Sequence, residues 1–462
     1  MLLFFTVSMV AAYTSRSLIF EQRTSANQYR ATQALEAGEA AIEWTLAQLN
    51  AGRMVQADPN GGPNNSCTAS ANESEDADPS FRERYLTISA TTGNITPRLA
   101  NASSGGSVTP VCVFQGSSIT ATDWRWNCRC PFANPSSESQ VTPTLEAPTT
   151  PGPAPAFTLL LRRTPTSLAR PDIVILDVAS CTKLDTSPSG CVNLDNPDPG
   201  GTGNGVARIS TRLALRGALT RVPAGALTLA DTITAIPAGT TLAVKNSDAT
   251  ANGITLHLGG APPPMSGLAL AGLPGSVASS TMVVSDPGLR PADLSTVNPP
   301  TQPLYNSSDR SFSLFFGLHP DNYVRQPGLP VIDCNGGCNS NQVRRALTLN
   351  PGRPVWLKGT GGTFNLDGEV GTTDRPALLI VEGDVTINSD AAFTGLLYGR
   401  KQTWLWSAAG TSRIVGAAVG EGSLQTAGSG FSISVTYNAA VLKALRVSQG
   451  TFVRVPGSWR DF

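Results

Sequence analysis

The side chains most able to do covalent chemistry are the cysteines: Cys67, Cys112, Cys128, Cys130, Cys181, Cys191, Cys334 and Cys338. Their number is even, and the chain opens on an apolar segment of the kind that targets a membrane. Disulfides in an oxidising compartment are therefore the expected chemistry. Cys181 and Cys191 enclose TKLDTSPSG, and Cys334 and Cys338 enclose NGG, whose glycines permit a tight loop. Both read as local pairs. Cys67, Cys112, Cys128 and Cys130 are expected to pair among themselves, with the connectivity open. The competing chemistry is a zinc site. Cys128-Arg129-Cys130 and the Cys334/Cys338 pair could supply thiolates, but two CxxC units at structural-site spacing are absent.

Other chemistry is sparse. There are two histidines, His257 and His319. His257 sits in the strand-like alternation Ile254-Thr255-Leu256-His257-Leu258 and reads as a satisfied core or surface residue. No HExxH, GxSxG or GxxxxGK[ST] motif occurs. Asp367, Glu369, Glu382 and Asp384 are close in sequence and could be offered as paired carboxylates acting on a polysaccharide; solvated turn carboxylates are the simpler and preferred account. The run Asp195-Asn196-Pro197-Asp198-Pro199-Gly200-Gly201 offers oxygen ligands for calcium, yet it fits no EF-hand loop and turn chemistry explains the same residues. No catalytic residue, metal ligand or cofactor is expected, and the chain reads as a non-enzyme.

The elements that carry these residues begin with the first fifty. From Met1 to Tyr13 the chain is almost wholly apolar, and its first charge is Arg16. No proline occurs in this stretch, and Gly38 is its one glycine. After Phe20 the pattern turns amphipathic. Ala31, Leu35, Gly38, Ile42, Leu46 and Leu49 fall near one side of a 3.6-residue period, with Glu36, Glu39 and Glu43 flanking them. The spacing predicts one continuous helix that starts in lipid and ends on a protein surface, roughly 75 Å long at 1.5 Å per residue. Leu35, Ile42, Leu46 and Leu49 are its candidate packing residues in a filament. A signal peptide would need a basic start, which is missing, and would not need the helical pattern to continue. A simple anchor would want about 20 apolar residues.

The remainder reads as turn-rich and strand-rich. Basic and acidic residues balance at 33 each, and charged residues make up only 14%. That argues against a nucleic-acid partner, which needs a basic surface to displace counterions. Gly (45) and Pro (35) are abundant, and aromatics are only 6%, which favours short strands between turns over a helical body.

Four regions follow: a helix over 1–52, a Cys-containing region with a proline-rich spacer over 53–156, a β-rich region over 157–345, and a C-terminal region over 346–462. Strands are expected at Tyr85–Ala90, Val111–Gln115, Ser118–Thr122, Phe157–Arg162, Asp172–Val178, Ala207–Leu213, Ala226–Leu229, Leu242–Lys245 and Gly253–His257. Trp124 and Trp126 are read as core, with an exposed contact site as the alternative, and Ser311–Leu318 as a short buried helix or turn. Beyond residue 346 strands are expected at Val355–Lys358, Ala377–Val381, Val385–Ile387, Phe393–Tyr398, Ile414–Val419 and Phe431–Tyr437; several of these runs recur at roughly 16–22 residues with glycine at the breaks, a spacing that suits stacked parallel coils. The fold class is therefore mainly β with one long N-terminal helix, and a parallel β-helix-like C-terminal part; an antiparallel sandwich is the alternative. Val441–Leu445 reads as a helix, Phe452, Val453 and Val455 as a last strand, and Trp459 and Phe462 as an apolar lock.

The segment EQRTSANQYR (Glu21 to Arg30), followed by ATQALEAGEAA (Ala31 to Ala41), resembles the N-terminal region of PilX-type minor pilins, assembly proteins of type IV pili. The likeness covers about fifty residues, and a weaker one extends to Pro376–Asp384, Gly395–Gly399 and the C-terminal end. The resemblance implies a structural component anchored in the inner membrane through residues 1–20, with its body in the periplasm or displayed on the pilus. Its implied partners are other pilins, minor pilins and a tip adhesin. In that family a short basic leader and a glycine precede the apolar helix, and a glutamate usually lies five residues into it. Here the first acidic residue is Glu21. The reading frame is therefore expected to continue upstream of Met1 with apolar codons, a glycine cleavage point and a basic residue. The nucleotide sequence there decides it; an in-frame stop immediately before Met1 would remove the processing argument. The functional alternative is a membrane-anchored β-helix protein that binds or cleaves carbohydrate.

Overall fold

The computed structural model describes residues 2–53, 67, 79–98, 110–115, 122, 124–130, 154–164, 170–183, 204–277, 281–290, 307–359 and 362–461. Helix α1 (Leu2–Leu49) runs without a break, about 72 Å at 1.5 Å per residue. Its hydroxyl residues do not interrupt it, because they bond back to the preceding turn. Ser8 Oγ donates to the Phe4 carbonyl at 2.8 Å, Thr14 Oγ1 to that of Val10 at 2.9 Å, and Thr45 Oγ1 to that of Ala41 at 2.6 Å.

The second half of α1 lies on a 7-stranded sheet. All its pairings are antiparallel, in the order Gly450–Arg454, Val206–Gly217, Ile173–Cys181, Ala156–Arg163, Val111–Gln115, Arg125–Arg129. Arg460–Asp461 adds to the Val206–Gly217 strand. Ala41, Ile42 and Leu49 on the helix are buried against Phe157, Val174, Leu176, Val178, Ile209 and Leu213 of the sheet. Helix and sheet also approach closely at Gly38. A Cβ there would sit 2.6 Å from Ile209 Cδ1 and 2.9 Å from Ser180 Oγ. Ser180 in turn donates to the Ala34 carbonyl at 2.7 Å.

Helix α2 (Phe81–Tyr85) closes the side of this core. Ser80 and Glu83 form a reciprocal capping box at its start. The strand expected from Tyr85 therefore begins at Leu86, as Leu86–Ile88, and pairs with Ile95–Pro97. Phe81 meets Trp44 edge-on at 5.6 Å, and Trp126 packs on Phe157 at 4.7 Å while staying half-buried, as does Trp124. Disulfides Cys67–Cys130 and Cys112–Cys128 fasten this end, the second joining directly paired residues of the Val111–Gln115 and Arg125–Arg129 hairpin. Cys334 bonds Cys338. Cys181 is also disulfide-bonded; its expected partner, Cys191, lies outside the described residues, as do Ser118–Ala121 of the expected Ser118–Thr122 strand, the proline-rich stretch 131–153 and Asp195–Gly201.

Between the Val206–Gly217 and Gly450–Arg454 strands the chain builds stacked parallel coils from a 12-stranded and a 6-stranded sheet. Strands Val355–Lys358, Ala377–Val381, Ala392–Gly399 and Thr411–Gly420 climb one sheet, while Thr363–Leu366, Asp384–Ile387, Thr403–Ala408 and Ser423–Ala427 climb the other. Each coil takes about 20 residues. The stack then continues with residues from far earlier in the chain. Leu227–Leu229 pairs with Thr411–Gly420, Ile233–Ala235 with Ser423–Ala427, and Thr241–Lys245 with Ser432–Tyr437. One inward ladder thus runs Val355, Leu379, Leu397, Ala418, Leu227, Leu256, Val283 across both blocks. Gly399 leaves room for the Trp404 indole, which a Cβ would meet at 2.4 Å.

Four further helices complete the fold. α3 (Ser307–Phe316) and α4 (Pro320–Val324) carry the chain from the early coils to the far end of the stack. Phe312, Phe316 and Tyr323 pack on Trp356, Ile380 and Tyr398 of the outer sheet face, so the expected Ser311–Leu318 element is the buried second half of α3 as far as Phe316, with Gly317 and Leu318 turning out of it. α5 (Ser340–Leu349) covers the lower coils through Val343 and Ala346. α6 (Ala439–Ser448) buries Leu442 and Leu445 on the outer face and returns the chain to the antiparallel sheet. The apolar lock expected from Trp459 is not formed: Trp459 is 36% exposed, because the following Arg460–Asp461 pairs at the exposed edge of the Val206–Gly217 strand. Phe462 lies outside the described residues.

A chain beginning at Arg23 keeps every buried residue of α1 and should be soluble, monomeric and cooperatively folded. Ile42→Ala, which empties a fully buried site, should cost about 2–5 kcal/mol in urea unfolding. A loss under about 0.5 kcal/mol would show that the helix is not docked as described.

Candidate assembly helix and its anchorage

Helix α1 divides at about Ala34. Beyond it one face is buried or half-buried while Glu36, Glu39, Glu43 and Ala47 stay exposed; before it the side chains from Leu3 to Tyr29 are exposed. Leu3, Phe4 and Phe5 are 79%, 80% and 72% exposed, and Val10, Tyr13 and Phe20 are similarly open. An apolar surface of this extent is far larger than a soluble monomer ordinarily shows. The helix is long and apolar enough to cross a membrane, and its apolar window has none of its surface covered by the body.

The four helix positions singled out from the sequence lie in the docked half. Ile42 and Leu49 are fully buried in the core over the antiparallel sheet, and Leu35 and Leu46 are half-buried at its margin. They hold the helix to its own body. The residues free to meet another molecule are those of the first half, which the amphipathic period does not mark because they are apolar all round.

The docked half ends in a polar anchor that sequence reasoning missed. The last turn of α1 contains no basic residue, so its unpaired carbonyls must be met from elsewhere. Arg82 Nε donates to the Leu49 carbonyl at 3.1 Å, Nη1 to Gly352 at 2.9 Å and Nη2 to Gly450 at 2.8 Å. Its guanidinium also lies 4.9 Å from the centre of the Phe452 ring. Arg353 Nη1 donates to the carbonyls of Asn50 and Gly328, and Nη2 to Asn350 Oδ1. Burial, and for Arg82 the repulsion of Arg353, lowers these guanidiniums to about 9 and about 10, so both remain charged at neutral pH. Asn50 completes the anchor. Its Nδ2 donates to the Phe452 carbonyl at 2.9 Å, and its Oδ1 accepts from the Phe452 N–H at 2.8 Å. The side chain thus stands in for a neighbouring strand on the sheet's edge. The signal available in the sequence was an Asn at the helix end followed by isolated arginines, which carries no pairing information.

A second polar cluster fixes α3 to the outer face of the coils. Glu421 accepts from Arg400 Nε at 3.0 Å and from Tyr398 Oη at 3.1 Å. Arg400 Nη2 continues to Asp309 Oδ1 at 2.9 Å. Burial pushes the Glu421 carboxyl up to about 7, against the pull of Arg400 and Tyr398.

The carboxylates considered for glycan chemistry have other duties. Asp384 accepts from Lys401 Nζ at 2.6 Å and from the Leu405 N–H at 3.0 Å. Glu382 accepts from Trp356 Nε1 at 2.8 Å, Glu369 pairs with Arg413 at 3.4 Å, and Asp367 is exposed at a turn. His257, 6% exposed, lies 3.3 Å from Asp286 Oδ2, and His319 caps α4. Burial lowers the His257 imidazole, so it is the neutral partner of that pair near pH 7.

No protein-family model matches the chain, and no curated protein matches it. Among solved structures, the crystal structure of the competence-associated pilin ComZ from Thermus thermophilus aligns over 94% of this chain and 97% of that one. The identity is 11% and the TM-score 0.19, too low for the superposition to carry an argument.

Two substitutions probe the anchors. Asn50→Ala strands the buried N–H and C=O of Phe452 and should cost about 2–4 kcal/mol in chemical denaturation. Glu421 has a folded pKa above its unfolded value near 4.5. Between those values the folded chain holds the extra proton, so this group's contribution to stability falls as pH rises from about 4.5 to about 7. Glu421→Gln should remove that slope, making the variant gain on the parent between pH 5 and pH 7.5. A pH-independent difference would contradict the assignment.

Proposed function

We propose that this chain is a non-catalytic, pilin-like filament subunit of the PilX minor-pilin kind. The observation that carries the proposal is the division of α1: an apolar half that none of the described residues of the body covers, continuous with a half locked onto an antiparallel sheet. The exposed half suits two successive environments. In the inner membrane it crosses lipid, with Thr6, Ser8 and Thr14 satisfied by the helix's own carbonyls, as hydrocarbon requires. In a filament it packs on the corresponding helices of neighbouring pilins. The run from Glu21 to Ala41 that resembles PilX-type proteins spans the junction of the two halves and supports the same reading. The coils and their helices would form a periplasmic body, displayed at the pilus tip or base beside other minor pilins or a tip adhesin. The engagement of Glu382, Glu369 and Asp384 by neighbouring groups supports a body without glycan-cleaving activity.

In cells that make this protein, Phe5→Asp or Val10→Asp should abolish its recovery in sheared filaments. A charge at such a position costs about 2.5–3.5 kcal/mol in a membrane helix. The body's disulfides and melting transition should be unchanged. Normal recovery of both variants in filaments, or intact piliation after deletion of the gene, would count against the proposal.

A further inference from the structure

The charges of α1 are sorted by face. Its basic residues are Arg16, Arg23 and Arg30, spaced by sevens, and its acidic residues are Glu21, Glu36, Glu39 and Glu43. At about 100° per residue, the arginines fall within about 40° of arc and the glutamates within about 60° on the opposite side. The buried residues Ala34, Ala41 and Thr45 lie on the arginine side. The body therefore covers the same side of the helix as the basic stripe, further along it, and the acidic stripe faces away from the body. Arg16, Arg23, Glu36 and Glu39 are exposed. The Glu43 side chain is 72% exposed, with Arg454 at 3.9 Å. Arg30 is half-buried beside Gly205.

The spacing also carries a register. Arg16 and Glu36 are twenty residues apart, as are Arg23 and Glu43, about 30 Å along the axis. Two parallel copies of α1 displaced by that distance bring both pairs into apposition at once. The basic side of one copy's free half then lies on the acidic outer face of the other's docked half. Phe20, 72% exposed on the basic side, comes level with Ala40, a small residue that leaves room for the ring. Because the two charged faces are opposite, each copy receives one neighbour and enters another. Such a head-to-tail contact propagates instead of closing. We infer, on the reading that the chain is a filament subunit, that the outer face of the docked half receives a second copy of this chain. That copy is held parallel, staggered by about 30 Å, through Arg16–Glu36 and Arg23–Glu43 pairs. The parallel sense follows from the apolar ends, which enter from one membrane. Charges of this kind fix register and partner more than they add affinity. The stagger shorter by seven residues pairs Arg23 with Glu36 and Arg30 with Glu43, and it depends on the half-buried Arg30.

The test is recovery of the full chain in filaments sheared from cells that make it, measured against its level in the membrane fraction. Arg16→Glu and Glu36→Arg each set like charges together at every contact between copies, and each should lower recovery about tenfold or more. Both sites are exposed, so the melting transition should not move. The two reversals combined in one chain restore opposite charges and should return recovery to near the parent level. Arg23→Glu combined with Glu36→Arg should not. Loss in the single variants without rescue by the Arg16→Glu, Glu36→Arg chain would place a different pilin on that face and overturn the inference. Single variants recovered like the parent would overturn it as well, and so would rescue by Arg23→Glu with Glu36→Arg, the mark of the shorter stagger. Absence of the parent itself from filaments is a separate result, and it sinks the filament reading on which this rests.

Discussion

The carbonyls at the C-terminal end of α1 are the constraint on which the rest of the architecture turns. A helix end buried in a protein must have its last acceptors met, and this helix has no basic residue in its own last turn. Arg82 and Arg353 meet them, and each guanidinium also holds carbonyls from another part of the chain: Gly352 and Gly450 for the first, Gly328 for the second. The helix end, the edge of the antiparallel sheet and the base of the coils are therefore tied at one point. Cations near a helix C-terminus are also favoured by its dipole. With this end fixed, the opposite end has a defined direction away from the body.

The body is assembled so that its two sheet systems share that point. The chain leaves the antiparallel sheet after Gly217, builds the coils, and returns through α6 to the edge strand Gly450–Arg454. The coils do not follow chain order. Residues 227–245 stack on 411–437, with Leu227 against Ala418 and Leu242 against Ile433. The late coils are thereby covered by the early ones, and α3 and α4 carry the connection along the outer face. Opposing sheet edges within the stack are paired instead of being left open to other chains.

Much of this was legible in the sequence where local pattern decides. The absence of proline before residue 50 and the shift from all-round apolar to amphipathic mark α1 and the point at which it docks. Val355–Lys358 and Ala377–Val381 are strands over the residues expected, and the recurring glycine-broken runs do form parallel coils. What stayed hidden depends on partners distant in sequence. The pairing of Leu227 with Ala418 has no local signature, because any aliphatic strand can stack on any other. Arg82 and Arg353 carry no motif, since their partners are backbone carbonyls that every residue offers. Tyr85 reads as strand by its β propensity, but the Ser80–Glu83 capping box holds it in a helical turn. Trp459 reads as an apolar lock by its type, yet it is 36% exposed, beside the exposed edge pair Arg460–Asp461.

The central claim is that one helix performs two separable tasks, docking through its second half and assembly through its first. A photo-crosslinking amino acid placed at Tyr13 and, separately, at Trp44 tests it directly in filaments isolated by shearing. The account predicts that the Tyr13 position joins the chain to the N-terminal helix of a neighbouring subunit, while the Trp44 position yields only adducts within the chain, to Phe81 or Phe157. Intermolecular adducts from Trp44, or none from Tyr13 in filaments that contain the protein, would contradict it.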